Sequence, residues 1–212
     1  MRARSKSTIV GSTYFERNGF ISGITCLIFF ACGVVVGIFS ARTLEEAGAS
    51  ALNQSVLASI EHLVTGARTG TGFLATAWAM GYLHLLVLFL GFSLLGVLII
   101  PILAGVRGFY LSFSIAAFIR AFGFSGWPLA FSFFGLTALI TIPCFFILAS
   151  QGMSSSLALG RSLFGMEKAH FTALYGRAFL LRTVICTLAL FLAVALERYI
   201  SPMLVLWTRS FL

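Results

Sequence analysis

The sequence predicts an all-α polytopic membrane bundle: about five transmembrane helices, plus one or two amphipathic helices at the interface. Three observations carry this. Of 212 residues, 59% are hydrophobic and only 9% are charged, whereas a soluble domain averages about 25% charged. The apolar residues gather in uncharged runs long enough to cross a hydrocarbon core of about 30 Å. Charges, glycines and prolines punctuate those runs. Too little polar surface exists to cover a soluble globule of this size, so the chain reads as a single membrane domain.

The first span is 19–39. It follows the basic start "MRARSKSTIVGSTYFERNGF". Its apolar run exceeds a signal-peptide core, and only Ala41 offers a small residue for cleavage, so a retained span is expected. Gly19 with Gly23, and Gly33 with Gly37, each make a G-x-x-x-G that lets helix backbones approach. Helix packing is the reading of both pairs, and a self-association face is the alternative.

The segment 41–71 follows. Leu52, Val56, Ile60, Leu63 and Val64 recur at helical spacing. The reading is an amphipathic helix on the outer leaflet, or a docking surface for an extracytoplasmic partner.

The second span is 73–100, 28 residues without a formal charge, closed by Pro101. His84 is its only ionisable group. An ionisable group inside a span is a functional candidate by default.

The third span is 106–122. Arg107 and Arg120 bracket twelve uncharged residues, only about 18 Å of helix. With both arginines counted the span reaches about 25 Å. They are therefore expected at its two ends, with their stems running out to the headgroups.

The fourth span, 129–149, starts behind Pro128 and carries Pro143 as a candidate kink. The segment 150–177 is basic and amphipathic, and is expected along the cytoplasmic face. The fifth span, 179–196, is closed by Glu197 and Arg198.

Loop charge sets orientation. With the N-terminus inside, nine basic residues fall inside and five outside. The expected placement is a multi-pass protein of the cell membrane, with a cytoplasmic N-terminus and an extracytoplasmic C-terminus. A net charge of +8 then reads as orientation and contact with anionic membrane lipid, not as a nucleic-acid footprint.

Catalytic chemistry finds little support. The chain has no Asp, which removes aspartyl proteolysis and the usual aspartate-built magnesium sites. His84 and Ser93 are about 13 Å apart along one helix and cannot pair. Glu61-His62 is not part of an H-E-x-x-H. Cys26, Cys32, Cys144 and Cys186 lie in apolar runs with no C-x-x-C. No catalytic residue, cofactor or metal is expected. A small transporter or channel subunit, using His84, Arg120 and Pro143, is the alternative class.

Three stretches resemble the stage II sporulation protein M (SpoIIM-like) family. They are "LLGVLIIPILAGVRGFYLSFSIAAFIRAFGFSG", "WPLAFSFFGLTALITIPCFFILA" and "LERYISPML". Arg107, Gly108, Glu197, Tyr199, Ser201 and Pro202 are the signature positions carried over. Where the family commonly has Pro-Gln early in the fourth span, this chain has Gly135-Leu136. The resemblance implies a non-enzymatic scaffold. Its partners would be membrane-anchored peptidoglycan-degrading enzymes in endospore engulfment, a form of cell-wall remodelling. A homo-oligomer also suits the small-residue faces.

Overall fold

The computed structural model describes residues 3–43, 73–123, 126–163 and 176–209, together with positions 54 and 58. The described residues form a helical membrane bundle. Its elements are α1 (Ala3–Arg42), α2 (Phe73–Gly91), α3 (Gly96–Phe122), the short α4 (Gly126–Ala130), a π-helical turn (Phe131–Gly135), α5 (Leu136–Leu163) and α6 (Arg177–Arg209).

Four segments are long and apolar enough to cross a membrane: Gly19–Arg42, Gly96–Arg120, Leu136–Leu163 and Arg177–Ile200. The fifth apolar helix, α2, has 19 residues, about 28 Å.

Cross-helix contacts fix the directions. Gly33 lies against Gly105, Gly37 against Ser112, and Ala41 against Arg120. The register climbs together, so α1 and α3 run parallel. Phe30 meets Phe146 while Gly19 meets Ser150, so α1 and α5 are antiparallel. Gly81 meets Leu190 while Phe92 meets Phe179, so α2 and α6 are antiparallel. The helices thus alternate up and down.

The core is centred on α5, which packs against α1, α2, α3 and α6. Phe145 is fully buried among Cys26, Val87, Ala104 and Cys186, one from each of those helices. The outward faces are apolar, as in Phe20, Leu27, Val35 and Phe39 on α1 and Leu180, Val184 and Leu188 on α6. Such a surface suits lipid and not water.

Four sequence expectations need correction. The chain turns back at Phe92–Leu95, not at Pro101. Pro101 lies in the second turn of α3, where a membrane helix accommodates it. Glycine and a distant serine set the turn. A Cβ at Gly91 would press on the Gly152 backbone, and one at Gly96 would strike the Leu90 carbonyl. The Ser156 hydroxyl donates to the Ser93 carbonyl at 2.5 Å and accepts from the Val97 amide at 3.1 Å. One residue of α5 thus braces a carbonyl of the turn, which also accepts from the Gly96 amide, and satisfies an orphan amide in the first turn of α3.

The segment 150–177 does not begin on the membrane face. Through Leu163 it continues α5, with Gln151, Ser154, Ser155 and Ser156 buried. Gln151 Nε2 donates to the Phe179 carbonyl of α6 and Ser156 reaches the α2–α3 turn, while Ser154 donates back to the Gln151 carbonyl of its own helix. The fourth span is also displaced, since α4 and the π turn come first and α5 starts at Leu136. Gly135 closes that π turn, and any Cβ there would meet the ring of Phe131.

The fifth helix does not stop at Glu197 and Arg198. It runs on to Arg209. The amphipathic part of 41–71, and residues 164–175 of the inner segment, lie outside the described residues.

Candidate functional site

The early start of α3 moves Arg107. It stands about 17 Å along the helix from Gly96 and about 20 Å from Arg120, near the middle of the candidate span Gly96–Arg120. It is not an end residue, and its stem cannot carry the guanidinium to a headgroup along that distance.

Arg107 instead turns inward. Its Nη2 donates to Thr141 Oγ1 on α5 at 3.0 Å. Thr141 is 1% exposed. Its backbone carbonyl lies 3.4 Å from Nε2 of His84 on α2. One threonine therefore joins two candidates that the sequence had left separate.

His84 is 5% exposed. Nδ1 lies 3.2 Å from the carbonyl of Met80, one turn back. The ring stands edge-on to Phe145, with centroids 5.7 Å apart. Both of its nitrogens face carbonyl oxygens, which only accept. A neutral imidazole has one N–H and can satisfy one of them at a time. One turn before Thr141, Thr137 is also buried, and its hydroxyl has no hydrogen-bond partner among the described residues.

This is a polar layer at mid-depth: a cation, an imidazole and two hydroxyls, shared by three helices. The imidazole meets the Thr141 carbonyl and not its hydroxyl, so the pair is not arranged as base and nucleophile. Among the described residues no group of three His, Cys, Asp or Glu comes together as a metal cage.

Gly108 faces the other way. A Cβ there would strike the Phe30 carbonyl of α1. The Arg107-Gly108 pair thus divides its work, since neighbouring helical residues point about 100° apart. The glycine admits α1, and the arginine reaches α5.

Arg120 lies at the far end of α3 and is not part of this layer. Its Nη1 donates to the Ala41 carbonyl at 2.7 Å and to the Arg42 carbonyl at 3.4 Å. It caps the C-terminus of α1 from a neighbouring helix, where orphan carbonyls and the negative dipole end favour a cation.

The remaining signature positions sit on α6. Glu197 is half-buried, and Tyr199 is exposed. The side chains of Ser201 and Pro202 lie outside the described residues. Pro143 points outward from α5. The structure therefore brings Arg107 and His84 together, and leaves Arg120 and the α6 positions elsewhere.

Thr141, Thr137 and Ser156 were missed by sequence reasoning. The available signal was small polar residues inside a span, where a hydroxyl must find a partner on its own or a neighbouring helix.

The sequence model of the family described as "Stage II sporulation protein M" matches residues 26–202, from inside α1 to near the end of α6. No curated protein and no solved structure matches the chain at a significant level.

Proposed function

Since the chain belongs to the stage II sporulation protein M family, we propose that it is a non-enzymatic membrane scaffold. It positions membrane-anchored peptidoglycan-degrading enzymes during endospore engulfment. The observation that carries this reading is the extent of the family match, which runs from inside α1 through α2, α3 and α5 to near the end of α6. The interdigitated core supports it, because a scaffold needs a rigid body more than a solvent path.

The proposed orientation has the N-terminus in the cytoplasm. With Arg107 inside a span, eight basic residues remain on the inner side against five outside, and the bias keeps its sign. The partners would then meet the segment 44–68 and the C-terminal tail.

The test is a deletion of residues 44–68, with a short flexible linker joining the ends. Hydrolase recovery from mild-detergent extracts of sporulating cells should fall to background, while helical content by circular dichroism is unchanged. Unchanged hydrolase recovery would sink the docking assignment.

One observation favours a second reading, a small transporter or channel subunit. The Arg107–Thr141–His84 layer lies at mid-depth, where transport sites gather. Solute or ion flux in liposomes that His84→Ala abolishes would support that reading over the scaffold. No flux above protein-free liposomes would remove it.

A further inference from the structure

Arg107 uses little of its bonding capacity. A guanidinium carries five N–H donors. Among the described residues Arg107 makes one hydrogen bond, to Thr141, and no carboxylate pairs with it. Thr141 accepts that bond, and its own hydroxyl proton meets no acceptor among the described residues. Thr137, 5% exposed, has a hydroxyl with no partner.

Other threonines of the chain behave differently. Thr25, Thr183 and Thr187 each donate to the carbonyl four residues back. Four residues behind Thr137 is Phe133, inside the π turn, and such turns frequently lie beside functional sites.

Register brings these groups together. The Val97 amide of α3 meets Ser156 of α5, and Phe118 of α3 meets Phe134 of the π turn. These antiparallel segments set the Arg107 backbone about level with Phe145. Its side chain reaches Thr141, one turn toward the start of α5. Thr137 is the next turn on the same face, with its Cβ about 5–6 Å from that of Thr141. The guanidinium therefore runs toward Thr137.

We propose that Arg107, Thr141 and Thr137 bind one small monovalent anion of halide size inside the bundle. Each unused group here is a donor, and the charge is positive. A metal cation would be repelled. A water molecule would leave the charge unbalanced at the depth where charge costs most. Bonds from a guanidinium to an anion are charge-assisted and strong. A lipid phosphate is a poor occupant, because headgroups lie about 15 Å from mid-depth. The inference concerns binding and not passage, so it holds for a scaffold as for a transporter.

The test uses the full chain in nanodiscs of phosphatidylcholine. The thermal midpoint is followed as sodium chloride replaces sodium gluconate at constant ionic strength. Chloride should raise the wild-type midpoint saturably, as a ligand of the folded state does, and bromide should substitute for it. Arg107→Gln should abolish the response. Thr137→Val should raise the chloride dissociation constant about tenfold. Thr187→Val, at an exposed position of α6, should respond like the wild type.

A wild-type midpoint indifferent to chloride would overturn the proposal, and is the result expected if a carboxylate or water serves Arg107 instead. So would an unchanged response in Thr137→Val, or one that survives in Arg107→Gln, either of which marks a general salt effect. The Thr137 hydroxyl has no partner to lose, so Thr137→Val should match the wild-type midpoint in gluconate. It keeps the test decisive even if Arg107→Gln misfolds.

Discussion

A charge at the centre of a helix in lipid costs about 2.5–3.5 kcal/mol on insertion scales. Arg107 lies there, and the structure offsets that cost with a hydroxyl from α5. Thr141 carries this burden twice, since its carbonyl also faces His84. Thr141→Val keeps the shape and removes the acceptor, leaving the guanidinium's Nη2 without its bond. The expected loss is about 1–3 kcal/mol, read as a lower midpoint in a detergent-based unfolding assay. Thr141→Ser should restore most of it. Equal midpoints for the valine and serine variants would show that the hydroxyl is not what holds Arg107. The arginine itself was legible as a candidate. Its depth was not, because depth depends on where α3 begins, twenty-odd residues from any charge on the N-terminal side.

Glycine spacing decides how α1 meets α3. The G-x-x-x-G at Gly33 and Gly37 reads in sequence either as internal packing or as a face for a second copy. In the fold it is occupied, since a Cβ at Gly33 would fall on the Gly105 backbone and one at Gly37 on Ser112. Gly37→Leu should therefore separate the two helices and lower stability by about 1–3 kcal/mol, measured in the same unfolding assay. It should leave unchanged any self-association seen by analytical ultracentrifugation. A variant that becomes monomeric with its stability intact would reverse the assignment. The turn between α2 and α3 was illegible for a related reason. Nothing in "LGFSLLG" is charged, Pro101 is the louder breaker, and the groups that stabilise the turn come from Ser156 about sixty residues later. Local signals rank breakers by residue type, whereas the fold ranks them by which backbone groups find partners.

At the scale of the molecule, alternation of the five helices puts the start of α1 and the end of α6 on opposite faces. The orientation proposed from the loop-charge bias has the former inside. Single cysteines at Ser5 and Ser210, in a background with Cys32 replaced by serine, should respond oppositely to a membrane-impermeant maleimide on intact cells. Ser210→Cys should label, and Ser5→Cys should label only after permeabilisation. Labelling of both on intact cells, or of Ser210→Cys only after lysis, would break the proposed topology.

Composition by itself determined the class. With 9% of residues charged, lipid is the only solvent this surface tolerates, and in lipid every backbone polar group must be satisfied inside a helix or a closed barrel. The runs of helical length then made the bundle legible, together with its membrane placement and the family resemblance. Tertiary structure alone decided where the chain turns, how deep Arg107 lies, and which helix receives it. Those depend on hydroxyls and glycines whose partners are far away in sequence. Hydropathy records only how willingly each residue leaves water, and says nothing of which residue it meets when it does.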